Sequence, residues 1–237
     1  MNNNKQVSDW YENSYKTSGL DAQRRYPNEE FCRFMGRNFF SIPQEKRQDI
    51  KVLETGCGSG ANLWMIAREG FSSYGIDLSA EAIDLCKKML ESYGVSADLS
   101  VQDMMKLSFP DQTFHAIADV FSSYCLSKDQ HLTFLMDVYK KLKNGGLFFS
   151  YFPSKASGAF QFPGKSTFID QDTLSSISRA DSPFCGQDYP FRFSHHREYE
   201  ADLEKIGFEI QYSEKVSRTY NTHKELFEFV VVEARKI

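Results

Sequence analysis

Between residues 51 and 152 the chain alternates between two hydrophobic periods. "KVLET", "SSYGIDLS", "ADLSVQD", "FHAIADVFS" and "LFFSYF" are short apolar runs of strand length. The stretches between them repeat every three or four residues. "ANLWMIAREG" places Leu63, Ile66 and Ala67 on one helical face, and Ser79 is an N-cap candidate for a helix carrying Ala82, Leu85, Met89 and Leu90 inward. "SKDQ", Ser127 to Gln130, has the capping-box pattern for a helix predicted to reach Lys143, where Asn144-Gly145-Gly146 stops it. Farther on, Arg197 to Ile206 predicts a helix, and "FEIQYSEKVS" and "ELFEFVVVEAR" predict two long strands. Such alternation means a parallel sheet covered on both faces. Only "RTYNTHK" separates the last two strands, too little for a crossover, so they pair antiparallel. The expected fold is α/β, a doubly wound, mostly parallel seven-stranded sheet ending in an antiparallel hairpin.

Two regions lie outside that pattern. Residues 1–48 are aromatic-rich and predict an N-terminal helical cap of one or two helices. Pro153 to Ser194 is a long connection without strong periodicity, which points to a lid or binding loop. It carries Phe160, Phe162, Phe168, Phe184, Tyr189, Phe191 and Phe193, more large rings than a solvated loop uses. Asp170, Asp172, Arg179 and Arg192 can fix polar groups there, although most such charges are expected on an outer, solvated face. At 237 residues the whole chain, 1–237, reads as one domain with these two embellishments.

Composition narrows the class. A formal net charge of −4 argues against a generic nucleic-acid binder. No apolar run approaches a membrane span, and "MNNNKQVSDW" lacks the layout of a signal peptide, so a cytoplasmic protein with no membrane partner is expected. The five cysteines are scattered and never spaced C-x-x-C, which fits reduced thiols and no metal site. His195 and His196 are adjacent, and neighbours on a helix point about 100° apart, a poor chelate. Oligomeric state is open between monomer and homodimer.

The densest chemical signal is "LETGCGSGAN", three glycines in five residues after the first strand. The bland reading is a turn with nothing bound; the functional one is backbone that a ligand approaches closely. In open α/β sheets ligands bind beyond the carboxyl ends of the strands. Asp77 ends the second strand, where a carboxylate can accept from a ribose diol, and Asp103 ends the third, where it can accept from an exocyclic amine. Each is weak alone; three in successive strand-to-helix loops are specific. A nicotinamide dehydrogenase is the competing reading, since Gly56, Gly58 and Ala61 loosely satisfy the dinucleotide fingerprint and Tyr139-x-x-x-Lys143 is present. That pair sits on an amphipathic helix only about eighty residues after the glycines, and a hairpin ending does not suit a dinucleotide domain.

Taken together, "LETGCGSGAN", "GIDLS", "QDMMKLSFPDQTFHAIADVFSSYCL", "LKNGGLFFSYFP" and "LEKIGFEI" resemble the motifs of the class I S-adenosylmethionine-dependent methyltransferases. The resemblance covers roughly residues 50–152 and 195–235. It implies S-adenosylmethionine as cofactor and S-adenosylhomocysteine as product. It implies that Gly56, Cys57, Gly58, Gly60 and Asn62 lie along the amino-acid arm, and that Glu54 orients the loop and the ammonium group. It further implies Asp77 on the ribose, Leu78 and Met104 beside the adenine, Asp103 on its amine, and Asp119 near the methionine portion. Tyr15 and Arg25, in the N-terminal region, are candidates for covering the cofactor. His115 departs from the family, which commonly has Asp there.

The reaction this implies is methyl transfer, O or N, to a small-molecule acceptor of apolar or ring character. Alternatives are an RNA or protein acceptor, or cofactor binding without catalysis. Candidate bases are His195, His196 and Tyr124, though Ser194 and the histidines equally fit an ordinary helix start.

Overall fold

In the computed structural model, which describes residues 3–237, two helices, α1 (Asn3–Ser18) and α2 (Glu29–Asn38), precede the sheet. The core then alternates β1 (Lys51–Thr55), α3 (Leu63–Arg68), β2 (Ser72–Asp77), α4 (Ala80–Ser92), β3 (Asp98–Val101), β4 (Phe114–Val120), α5 (Lys128–Lys141) and β5 (Leu142–Pro153). A short α6 (Gly158–Gln161) and the two-residue strands β6 (Thr173–Leu174) and β7 (Phe191–Arg192) follow. The chain ends with α7 (His196–Ile206), β8 (Phe208–Tyr220) and β9 (Glu225–Lys236).

The main sheet has seven strands in the order β3-β2-β1-β4-β5-β9-β8. Pairs among β1 to β5 are parallel, while β9 runs antiparallel to both β5 and β8. The doubly wound sheet with its hairpin ending is therefore the fold read from the sequence. Strand order reverses between β1 and β4, which puts a crevice at their carboxyl ends. β4 and β9 are buried almost throughout, and β5 from Gly146 onward, because helices cover both faces; β8, at the edge, alternates half-buried and exposed. Charged Lys215 and Arg218 on that edge discourage pairing with another chain.

Local signals explain the helix starts. Ser79 caps α4 by accepting from the Ala82 amide at 3.1 Å, and Ser127 and Gln130 form the reciprocal capping box of α5. α4 is buried on two sides: Ile83, Cys86 and Leu90 join the main core, whereas Ala82 and Leu85 pack with Tyr15 of α1. Three boundaries differ from expectation. α3 is confined to Leu63–Arg68, because Gly60 at φ +86° still belongs to the turn. α5 ends at Lys141 instead of Lys143, and Asn144-Gly145-Gly146 form an irregularity within β5, where the pairing with β4 shifts register and Gly145 takes φ +77°. β3 ends at Val101, two residues before Asp103.

Candidate functional site

The glycine turn is built by contact. Gly56 adopts φ +64°, and a Cβ there would stand 2.4 Å from Ser122 Cβ; Gly60 adopts φ +86°, and a Cβ there would stand 2.6 Å from Cys86 Sγ. Any side chain at these positions meets both strain and a clash. Asp77 ties the turn to the second strand: its carboxylate accepts from the Gly58 amide and from the Ser79 amide, each at 2.9 Å. Burial raises the Asp77 pKa, and these amides pull it back down.

Beneath the turn, Glu54 is buried at the end of β1. Its Oε1 accepts from Asn62 Nδ2 at 2.5 Å, and its Oε2 is buried with no partner. Burial pushes the Glu54 carboxyl up to about 8. Asn62 is itself fully engaged, its Oδ1 accepting from the Asn28 amide at 2.8 Å and from Arg24 Nη2 at 3.2 Å. Cys57 is buried, its thiol turned toward Cys86 and held protonated.

A cavity of about 130 Å³ opens at the carboxyl ends of β1, β2 and β4; Gly56 and Asp77 line it, whereas Glu54, Cys57, Gly58, Gly60, Asn62 and Asp119 stand behind its lining. Of the residues anticipated from sequence, Gly56, Asp77, Leu78, Asp103, Met104 and Tyr15 line it. Asp103 Oδ1 accepts from the Met105 amide at 2.9 Å, fixing the loop after β3. Tyr15 reaches over the turn, its hydroxyl 3.0 Å from where a Cβ on Gly58 would sit. Asp119 is fully buried below the cavity. It accepts from the amides of Ser122 and Ser123 at 3.1 and 3.0 Å and from the Ser123 hydroxyl, so it shapes the turn after β4.

Other anticipated residues stand apart. Arg25 lies at the surface paired with Asp21, and it is the neighbouring Arg24 that reaches Asn62. His195 is exposed at the N-terminal end of α7, with the half-buried ring of His196 packed against it, and neither lines the cavity. His115 sits at the start of β4, accepting from the Lys51 amide at 3.0 Å, at the opposite end of the sheet.

Of the wall after β4, only Tyr124 is anticipated from sequence, as a candidate base. Phe121 takes φ +59°, a genuine outlier for a bulky residue, with its amide donating to the Tyr151 carbonyl at 3.0 Å. That bend turns its ring into an aromatic group with Tyr124 (4.4 Å), Phe184 (5.0 Å) and Phe229 (5.5 Å). Phe121, Ser122, Cys125 and Leu126 line the cavity beside Val7 and Tyr11 of α1. Tyr124 is buried and bonded to the hydroxyls of Tyr11 and Tyr189. Burial holds the Tyr124 phenol well above its ordinary pKa and pushes the Cys125 thiol up to about 12. Nothing in sequence spacing signals a positive φ at phenylalanine.

The insert supplies none of the residues that line the cavity, and its rings are unevenly buried. Tyr189, Phe191 and Phe193 are buried, whereas Phe162 and Phe168 are exposed. Asp172 and Arg192 are buried instead of solvated, Asp172 pairing with Lys155 at 2.6 Å, and Arg179 anchors the insert to Glu225 of β9.

Residues 52–146 match a family model described as a methyltransferase domain. A tRNA N(3)-methylcytidine methyltransferase of Schizosaccharomyces pombe is 28% identical over 159 residues, 56% of this chain and 52% of that protein. A sterol 24-C-methyltransferase of Pneumocystis carinii is 27% identical over 240 residues, 98% of this chain and 59% of that one. The chain thus spans between about half and three fifths of the length of these curated relatives. Among solved structures, magnesium protoporphyrin IX methyltransferase of Synechocystis, with bound SAH, shares the fold at a TM-score of 0.67 and 14% identity, each chain covered in full.

Proposed function

We propose, from the chain's place in the class I S-adenosylmethionine-dependent methyltransferase family, that it transfers a methyl group from S-adenosylmethionine to oxygen or nitrogen of an apolar or ring-bearing small molecule. One observation carries this reading. A single cavity has the glycine turn and Asp77 on one side and the aromatic wall of Phe121 on the other.

The residues present suit the cofactor. Glu54 Oε2, buried without a partner, matches an ammonium group; Gly56 presents bare backbone; Asp77 retains lone pairs toward the cavity for a ribose diol. Leu78 and Met104, which line the cavity, would hold the adenine, and Asp103 would accept from its amine. S-adenosylmethionine supplies an already electrophilic sulfonium methyl, so the protein's task is to align the acceptor and exclude water. Alignment of that kind is worth about 7–11 kcal/mol.

The phenols and the Cys125 thiol around Phe121 stay protonated, and the two adjacent histidines stand elsewhere, so positioning does most of the work. The tRNA-modifying relative supports a second reading, an RNA acceptor.

Calorimetric titration with S-adenosylhomocysteine and with a nicotinamide dinucleotide tests the cofactor. Label transfer from methyl-labelled S-adenosylmethionine into a metabolite fraction and a tRNA fraction tests the acceptor. Binding of the first ligand alone, with label in the metabolite fraction, is expected. Preference for the dinucleotide, or label confined to tRNA, overturns the corresponding half.

A further inference from the structure

Three tyrosine hydroxyls from distant parts of the chain meet in one buried triangle. Tyr11 of α1 lies 2.7 Å from Tyr124 and 2.9 Å from Tyr189, and Tyr124 lies 2.6 Å from Tyr189. A phenol has one O–H to donate, so three contacts among three phenols close only as a ring in which each donates once. All three are kept protonated by burial, which preserves the ring of donors. Removing any one hydroxyl leaves a neighbour's donor without its acceptor.

The triangle is not the only link between α1 and the insert. Gln6 donates to the Asp188 carbonyl at 2.7 Å, and the Trp10 ring meets the Tyr189 ring edge-on at 5.2 Å. At its other end α1 rests on α4: the Ser79 hydroxyl donates to Glu12, and Tyr15 packs with Ala82 and Leu85. α1 therefore spans the cavity as a bar, seated on the insert at Gln6 to Tyr11 and on α4 at Glu12 to Tyr15. The cavity beneath holds about 130 Å³, against about 300–1,000 Å³ for ordinary ligand pockets. A cofactor of nucleoside size has to lift this bar, and lifting it pulls on Tyr189.

We propose that Tyr189, which lines no part of the cavity, is a positioning residue that couples the insert to cofactor binding through Tyr11 and Tyr124. This rests on the cofactor reading above. Coupling is reciprocal: whatever an acceptor does to cofactor affinity by moving Tyr189, the cofactor does to acceptor affinity by moving Tyr11.

The test compares Tyr189→Phe with Arg179→Gln, which loosens the insert at β9 without touching the triangle. Affinity for S-adenosylhomocysteine is measured by calorimetry, and backbone mobility by amide hydrogen exchange. Tyr189→Phe is expected to tighten binding about two- to tenfold, because one hydrogen bond that holds the bar down is gone, and to speed exchange along α1. Arg179→Gln should leave affinity unchanged and speed exchange only within residues 153–194. In the unmodified protein, S-adenosylhomocysteine should speed exchange around Tyr189 as well as in α1, a readout that needs no variant to fold. Unchanged or weakened affinity in Tyr189→Phe, an equal gain in Arg179→Gln, or unchanged exchange around Tyr189 overturns the coupling. A wild-type chain that binds no S-adenosylhomocysteine overturns the cofactor reading beneath it.

Discussion

Asn62 donates its side-chain amide to Glu54 Oε1 at 2.5 Å, and the other carboxylate oxygen of Glu54 is left buried with no partner. Burial is the main reason this carboxyl titrates near 8 instead of near 4.5, with Arg24 and the Asn62 bond opposing it. An acid whose pKa is raised by folding binds its proton more tightly in the native state. Its contribution to stability is therefore full below about pH 4.5 and is lost as pH rises toward about 8. Asp77 and Asp119 are raised by burial too and act in the same direction, so the comparison of interest is wild type against Glu54→Gln. Denaturation midpoints should lie closest near pH 5, where Glu54 is protonated and Gln mimics it, and the wild type should fall below Glu54→Gln as pH rises toward 8. Binding S-adenosylhomocysteine at pH 7 should also expel the Glu54 proton, seen as a calorimetric enthalpy that varies with the buffer's own ionisation enthalpy. A buffer-independent enthalpy removes Glu54 from the ammonium site.

Asp77 has two duties that one substitution exposes. Its oxygens accept from the Gly58 and Ser79 amides, and the ribose role adds bonds to the same carboxylate. Asp77→Ala should weaken S-adenosylhomocysteine roughly tenfold to several hundredfold, since a bond to a charged group is worth about 1.5–3 kcal/mol. It should also lower the unfolding midpoint, because two backbone amides lose their acceptor. Ser79→Ala, which removes the α4 cap and its bond to Glu12, separates the effects: about 1 kcal/mol of stability should go, with affinity moved by no more than the few fold that loosening α1 brings. Equal loss of affinity in both variants would mean that Asp77 acts only through the loop.

What the sequence made legible follows from what local chemistry determines. Strand and helix periods, the Ser79 cap, the capping box at Ser127 and the glycine turn are written in neighbouring residues, and the doubly wound class with its hairpin ending follows from them. Boundaries set by tertiary contact were not readable. Gly145 looks like a helix stop in sequence, yet it serves an irregularity against β4. Gly56, Asp77, Leu78, Asp103 and Met104 lie around the cavity because topology brings strand ends together. The aromatic wall depends on the strained bend at Phe121 and on rings arriving from α1 and the insert, which no spacing rule encodes. Arg25 and Arg24 illustrate the limit: adjacent, chemically alike, and separated only by which one the chain turns inward.

His195→Ala and His196→Ala should each leave methyl transfer within about twofold of wild type. Both rings sit at the N-terminal end of α7, packed on each other at 4.3 Å, and outside the cavity lining. General-base catalysis contributes about 10²–10⁴-fold, so a true base would be unmistakable in steady-state kinetics. A hundredfold fall in kcat for either variant would show that the insert carries a histidine to the acceptor during turnover.

Phe121 offers the sharpest separation of cofactor from acceptor. Its φ of +59° costs on the order of 1–3 kcal/mol for a non-glycine residue. Its half-buried ring, packed on Tyr124, Phe184 and Phe229, returns part of the about 1.5–3 kcal/mol that full burial is worth. Phe121→Gly removes both at once, so global stability should change by no more than about 2 kcal/mol, the widest gap between those ranges. Phe121→Ala keeps the strain and loses the ring, and should be the less stable of the two. Function should not follow stability. The glycine turn, Asp77 and Glu54 are untouched, so S-adenosylhomocysteine should bind within about threefold of wild type by calorimetry. The wall against which an acceptor is aligned disappears, and misplacement by about 1 Å is enough to cost roughly 10²-fold in rate. Both variants should therefore lose methyl transfer to the same degree, measured as kcat/KM, despite their different stabilities. Turnover that survives in Phe121→Gly would place the acceptor against a different part of the crevice and leave the ring cluster as packing alone.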